Sequence, residues 1–374
     1  MADRADVLIV GGGMVGAACA AALAAEGVAV AVLEADTVGS GATAAGMGHI
    51  VVMDDSSAQL VLTRYSQRLW DAFAETVPAR VEYRRCGTLW VAADGEELQA
   101  ARDKQAFYAA HDVPSDVLDA PALYECEPAL RAGLAGGLLV PGDSVVYPPA
   151  AAEALLARAA QQGARVIAGT AVRLVPGGVQ LADGRTLHND AIVIANGARA
   201  VELAPELPIS PKKGHLAITD RYPGFVRHQL VELGYVKSAH ATHGDSVAFN
   251  VQPRATGQLL IGSSRQPDVA TREVDYAMLA RMLARAVAYL PGLARLSCIR
   301  VWTGLRAATP DGLPLIGPHP ARSGVWVAGG HEGLGITTSL ATGQLLAAQM
   351  LGHTPQIPVE PYLPARVLQE AAHA

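Results

Sequence analysis

An α/β fold is predicted, in which a domain built on a parallel sheet is interleaved with a second built on a mixed, largely antiparallel one. Three observations carry it. The stretch Val7 to Ala35, VLIVGGGMVGAACAAALAAEGVAVAVLEA, reads as strand, glycine turn, helix and strand. Helix, glycine stop and strand return at PPAAAEALLARAAQQGARVIAG, and another buried strand follows at DAIVIANGA. Beyond it, ISPKKGHLAIT and DSVAFNVQPRATGQLLIGSSRQ alternate β-branched residues with others, the pattern of antiparallel strands.

The first element needs the most care, because Val7 to Ala25 is uncharged and long enough to be taken for a membrane span. Three consecutive glycines, Gly11 to Gly13, follow a β-branched run, and glycine disfavours helix interiors. The run therefore divides into a strand at Asp6–Val10, a turn, a helix at Met14–Glu26 and, after Gly27, a strand at Val28–Leu33. Parallel strands joined by a helical crossover are apolar throughout because both faces are covered, so lipid is not needed to explain the hydropathy. MADRAD at the start is not net basic, so a secretory signal is not expected, and the chain is expected to be cytoplasmic.

Gly11, Gly13 and Gly16 take the spacing G-x-G-x-x-G. Gly11 allows the sharp turn, Gly13 lets backbone amides approach a pyrophosphate at the helix N-terminus, and Gly16 lets helix and strand pack closely. Glu34 ends the next strand, where a carboxylate accepts hydrogen bonds from an adenosine ribose. A dinucleotide is the ligand this pattern implies.

Bulk properties narrow the rest. The 374 residues are 51% hydrophobic and 17% charged, enough for two domains with a sizeable core. A formal net charge of -6 argues against nucleic-acid binding. Cys19, Cys86, Cys126 and Cys298 lie far apart without a C-x-x-C pair, which speaks against zinc or iron-sulfur sites, and no metal is expected.

After the first unit comes TVGSGATAAGMGHI, a small-residue loop where a flat ligand can lie close. In LVLTRYSQRLWDAFAETV, residues Tyr65, Leu69, Trp70 and Phe73 form a core-facing helical stripe with no chemistry assigned. A helix is expected over Gly95 to His111, a strand of another sheet at CGTLWVAAD, a strand meander around Pro176, Gly177 and Gly178, and an amphipathic helix at EVDYAMLARMLARAVAYLPG ended by Pro291. GVWVAGGHEGLGITTSLATGQLLAAQML then gives a strand, a Gly-rich turn and a helix beginning near Leu334 to Thr337, whose amides form a second anion-favouring pole. The expected domains are 1–83, 145–212 and 295–374 for the first, 84–144 and 213–294 for the second.

Taken together, the front fingerprint, SGATAAGMGHI, VIANGA, SPKKGHL, WTGLRAATPDGLPLIG and AGGHEGLG make the chain resemble the glutathione-reductase-type FAD fold in its D-amino acid oxidase branch, which includes glycine oxidases, sarcosine oxidases and D-amino acid dehydrogenases. KKGHLAITDRYPGFVRHQLVELGYVKSAH with FNVQPRATGQLLIGSSRQ further resembles the flavin subunit of bacterial D-hydroxyproline dehydrogenases. The resemblance implies a Rossmann FAD-binding domain interleaved with a substrate-binding domain. It implies noncovalent FAD, since Gly304 stands where monomeric sarcosine oxidases tether the flavin through cysteine. Gly11, Gly13, Met14, Val15 and Gly16 would carry the pyrophosphate, Glu34 and Ala35 the ribose end, and Ser40, Gly41, Ala42 and Thr43 further phosphate and ribitol contacts. Gly46, Met47 and Gly48 would line the flavin ring, Val172 would offer its backbone to adenine, and Asn196 and Gly197 would end a strand beside the cofactor. Gly330, His331, Glu332, Gly333, Leu334, Gly335 and Ile336 would present amides to the flavin.

Arg306, in GLRAATPDG, matches the family's carboxylate-binding arginine; a guanidinium grips a carboxylate with two parallel bonds and so fixes the α-carbon. Asp311 is expected to cap a turn. By the family's register Asn250 and Arg265 fall near the substrate, with a solvent-facing strand position as the alternative for Arg265, and His49 falls beside a motif glycine. Glycine oxidases resembling this chain have tyrosine about where Asn250 falls and a second arginine about where Gly333 falls. The implied reaction is oxidation of a small D-amino or cyclic imino acid, cis-4-hydroxy-D-proline or D-proline first, to the imine by hydride transfer to flavin N5. The alternatives are a glycine or sarcosine oxidase producing peroxide from oxygen, and a flavin-carrying subunit of a multi-subunit electron-transfer complex. The implied partners are accordingly the amino or imino acid and an electron acceptor: oxygen, a quinone or dye, or partner redox subunits in a hetero-oligomer.

Overall fold

The structure, a computed structural model, describes residues 5–234 and 244–368. Two compact units emerge: 1–81, 147–211 and 306–374 form one, 82–146 and 212–305 the other. The last crossing falls at 305/306, inside the strand Cys298–Ala308, not at the expected 294/295, because that strand continues the second unit's sheet.

In the first unit a six-stranded sheet runs in the order Leu315–Pro318, Val325–Gly329, Ala191–Ile194, Val7–Val10, Val30–Glu34, Arg165–Ala168. All neighbours are parallel except Leu315–Pro318, which pairs antiparallel with Val325–Gly329. Val7 sits between Ala191 and Val30 in register, so the first strand is central and all four of its residues are buried. The helix Met14–Ala25 is buried along nearly its whole length. Its small residues let a second helix, Gly335–Leu351, approach closely: a β-carbon on Gly343 would stand 2.5 Å from the Ala18 carbonyl oxygen. That close packing accounts for the hydropathy of Val7 to Ala25. Among the described residues no helix is long and apolar enough to cross a membrane.

Ser56 caps the helix Ser57–Ala74 by accepting from the Gln59 amide, a contact typically worth about 1 kcal/mol. Tyr65, Trp70 and Phe73 are buried as expected, whereas Leu69 is half-buried because it lies at the edge of the core-facing stripe. The meander has three strands, Ala171–Val175, Gly178–Leu181 and Thr186–His188, turning at Gly177 in the left-handed region.

The second unit's sheet runs Cys298–Ala308, Ser210–Thr219, Leu259–Pro267, Ser246–Pro253, Gln229–Glu232, Thr88–Ala92, Gly136–Val140, Asp116–Asp119. It is mixed: Gln229–Glu232 pairs parallel with Thr88–Ala92, and the other registered pairs are antiparallel. The helix Tyr276–Tyr289, begun by Asp275 accepting from the Ala277 and Met278 amides, packs on one face, where Phe249 stacks on Tyr289 with centroids 4.4 Å apart. Buried Glu232 is compensated there by Arg285 and by the Tyr289 hydroxyl.

Candidate functional site

The glycine turn is built so that side chains cannot fill it. Gly11 has φ +109°, and a β-carbon there would lie 2.7 Å from the Ala195 carbonyl oxygen and 2.9 Å from the Asn196 Cα. At Gly16 it would stand 1.9 Å from the Gly11 carbonyl oxygen. Gly13 begins the helix Met14–Ala25 and, having no side chain, caps none of its first amides. The Met14 amide donates to Thr43 Oγ1 at 2.9 Å, which ties the small-residue loop to this helix. Glu34 is fixed from two sides, Oε2 accepting from the Gly12 amide at 2.7 Å and Oε1 from the Asp36 amide at 2.9 Å, with lone pairs left on both oxygens.

The second glycine-rich loop is pinned by the end of the long strand: His331 pairs with Ala308 and Glu332 with Ala307. This register sets Arg306 beside Gly333, where a β-carbon would stand 3.7 Å from Arg306 Nε. Gly330, at φ +75°, has no room for a side chain, since a β-carbon would lie 2.5 Å from Thr309 Cγ2. Glu332 holds a left-handed conformation at φ +49° and its Oε2 accepts from the Gly333 amide at 2.8 Å. The helix Gly335–Leu351 then starts, again without a side-chain cap.

These two helix starts converge within the first unit. A β-carbon on Gly335 would stand 3.9 Å from Val15 Cγ2, and one on Gly46 2.8 Å from Ile336 Cδ1. Trp70 donates its indole N–H to the carbonyl oxygens of Ile336 and Thr337, at 3.2 Å and 3.1 Å. Thr337 Oγ1 donates to the His49 carbonyl oxygen at 2.8 Å. His331 is buried, and burial pulls its imidazole down to about 4, so it is neutral at pH 7. Its Nε2 lies 2.9 Å from Thr342 Oγ1, which donates its one proton to the Thr338 carbonyl oxygen; Nε2 therefore carries the hydrogen in that pair.

Other expected residues are placed less tightly. Met47 and Gly48 are buried, Gly41 begins the short helix Ala42–Ala45, and Ala35 and Ser40 are exposed. Asn196 and Gly197 lie past the end of the strand Ala191–Ile194. Val172, in the strand Ala171–Val175 of the meander, is 46% exposed. Asn250 and Arg265 lie in the second unit on adjacent strands; Asn250 is opposite Gly262 and Arg265 opposite Ser246, with a register irregularity between, so the two are not cross-strand partners. Asp311 does cap its turn, accepting from the Leu313 amide at 3.1 Å, and it also pairs with Arg366. Periodicity marked Trp70 only as a core residue; its indole bond to the second helix start leaves no sequence signal.

Two uncapped helix starts, glycines where a side chain would collide with backbone, and a fixed carboxylate at the next strand end fit the amide donors, space and ribose acceptor that FAD needs. A family model described as FAD dependent oxidoreductase matches residues 6–349. The chain belongs to that family. It is an FAD-dependent oxidoreductase that holds its cofactor noncovalently.

Glycine oxidase of Geobacillus kaustophilus is 32% identical over 93% of this chain and 93% of its own length. D-amino acid dehydrogenase of Methylobacterium nodulans is 32% identical over 78% of this chain and 69% of that protein. Among solved structures, that of the Geobacillus kaustophilus glycine oxidase superposes with a TM-score of 0.87, at 29% identity, over 97% of this chain and 99% of the other. These relatives place the chain among enzymes that oxidise small amino or imino acids. The stretch resembling D-hydroxyproline dehydrogenases falls partly, at 235–240, outside the described residues.

Proposed function

We propose that the chain oxidises the α C–N bond of a small amino or imino acid as an oxidase of the glycine or sarcosine kind, with oxygen as electron acceptor. The similarity to glycine oxidases favours this reading over a dehydrogenase for cis-4-hydroxy-D-proline or D-proline. The observation that carries it is Arg306 beside Gly333, in register with a loop that opens an uncapped helix. Arg306 grips the substrate carboxylate through a two-pronged bond and holds the α-carbon in one orientation. FAD, when bound, supplies the acceptor for the hydride that leaves this carbon. The amides at the start of Gly335–Leu351 favour negative charge placed against them, and neutral His331 adds no competing cation.

A second reading has one observation in its favour. The stretches KKGHLAITDRYPGFVRHQLVELGYVKSAH and FNVQPRATGQLLIGSSRQ resemble the flavin subunit of D-hydroxyproline dehydrogenases, which suits a hydroxylated ring as substrate. Anaerobic addition of glycine, sarcosine, D-proline and cis-4-hydroxy-D-proline to the yellow holoenzyme tests both. An oxidase is bleached by its substrate and recolours in air with peroxide. Bleaching that persists in air until a dye is added indicates the dehydrogenase, and no bleaching by any amino or imino acid removes both readings.

A further inference from the structure

The strand Asp116–Asp119 ends the second unit's sheet and pairs on one side only, with Gly136–Val140. Its other edge carries backbone N–H and C=O groups that no strand completes among the described residues. Two helices flank that edge. A β-carbon on Gly136 would stand 2.9 Å from Leu98 Cδ1 of the helix Gly95–Ala109, and one on Gly137 3.5 Å from Leu123 Cδ1 of the helix Ala120–Cys126. Adjacent strand residues point to opposite faces, so the two helices lie on opposite faces of the sheet. A hollow of about 350 Å³ touches Leu98, Arg102, Ala122 and the consecutive residues Val117, Leu118 and Asp119. Walls from both faces and from consecutive strand residues place this hollow at the open edge itself. A second hollow, of about 550 Å³, meets the first at Arg102 and follows the same helix face past Gln105, Ala106 and Ala109, beside residues 112–115. From Leu98 to Ala109 the helix runs about 16 Å, the length of about five strand residues.

A helix lying along an open strand edge is an arrangement that takes up an extended peptide: main-chain bonds to the edge supply affinity, and alternate side chains supply specificity. Arg102 donates to Gln99 Oε1 on its own helix at 3.3 Å, and its remaining N–H groups can meet the carbonyl oxygens of an added backbone. Charge decides the occupant. Asp112, Asp116 and Asp119 are all exposed along this segment. In a two-fold pairing of the strand with a second copy of the chain, the register that pairs all four residues sets Asp116 opposite Asp119 twice, and like charges directly opposite are destabilising. A basic residue opposite each aspartate gains an attraction instead, with apolar residues between them opposite Val117 and Leu118.

We infer that this edge docks an extended segment of a partner protein, two apolar residues between two basic ones, which adds to the sheet as a further strand. This role is independent of which substrate the flavin site takes.

The test titrates the yellow holoenzyme into a rhodamine-labelled peptide, Gly-Ser-Lys-Val-Val-Lys-Ser-Gly, and into its counterpart with both lysines replaced by glutamate, at low salt, with fluorescence anisotropy as the readout. The lysine peptide should bind about tenfold tighter, and Asp116→Lys, at an exposed position, should cut that preference about threefold or more. N-methylation of one valine should abolish binding while N-methylation of the other leaves it, because alternate residues of an added strand bond to its neighbour. Ala122→Trp, which fills the first hollow, should abolish binding with the flavin spectrum unchanged. No binding of the lysine peptide at millimolar concentration, equal affinity for the two peptides, a preference that survives Asp116→Lys, or N-methylated peptides that both bind like the parent would each overturn the inference. A dimer of the natural chain in sedimentation that Ala122→Trp dissociates would assign the edge to a second copy and overturn it as well.

Discussion

Arg306 runs alongside Gly333, close enough that a β-carbon on the glycine would stand 3.7 Å from the Arg306 Nε. The strand pairing of Ala307 with Glu332 fixes this neighbourhood, so it does not depend on a flexible loop. Gly333 has no left-handed backbone requirement, and a larger residue there meets the guanidinium instead of straining the chain. Gly333→Leu should therefore raise KM about tenfold or more by crowding the carboxylate clamp, with the flavin still bound. Steady-state kinetics beside the flavin spectrum check this; an unchanged KM would mean that the carboxylate is not held there.

Trp70 should matter to the cofactor although it sits in the core. Its indole bonds to the Ile336 and Thr337 carbonyl oxygens hold the second helix start in place. Trp70→Phe removes the donor at a cost of about 0.5–1.5 kcal/mol, so the dissociation constant of FAD should rise about 2- to 10-fold, read by titrating the apoprotein with FAD. Circular dichroism should stay unchanged, which separates this effect from unfolding.

Gly16→Ala should act at the other helix start. Its β-carbon would fall 1.9 Å from the Gly11 carbonyl oxygen, well inside contact distance. The glycine turn must then open, and the purified variant should be colourless or lose FAD on gel filtration.

His331 predicts a pH signature. Its folded pKa is depressed to about 4 by burial, against 6.5 for the free side chain. The stability it contributes is thus complete above about pH 6.5 and is lost as pH falls toward 4, because the unfolded chain takes up a proton that the folded one refuses. Melting temperature measured from pH 7 to pH 4 should drop less steeply in His331→Gln, which keeps an N–H for Thr342, than in the natural chain. Parallel slopes would show that His331 titrates normally.

The first sheet and its glycine turn were legible in the sequence because local rules govern them: an apolar run, a fixed glycine spacing, a carboxylate at a strand end. Arg306 and the 330–336 loop were legible through their motifs, but their proximity is set by one long-range strand pairing that no periodicity reveals. The last domain crossing differs from the expected one because Cys298–Ala308 is one continuous strand across it, and the sequence pattern does not mark where within a strand the chain changes unit.

The measurement that bears most directly on the central claim is anaerobic flavin bleaching of Arg306→Ala beside the natural chain, with the amino or imino acid that bleaches the natural chain best. Both proteins should be yellow, and the variant should need at least about a hundredfold more substrate for half-maximal bleaching, because a two-pronged charge-assisted carboxylate bond is lost. Bleaching of the variant at the same substrate concentration as the natural chain would contradict the assignment of Arg306 as the carboxylate clamp.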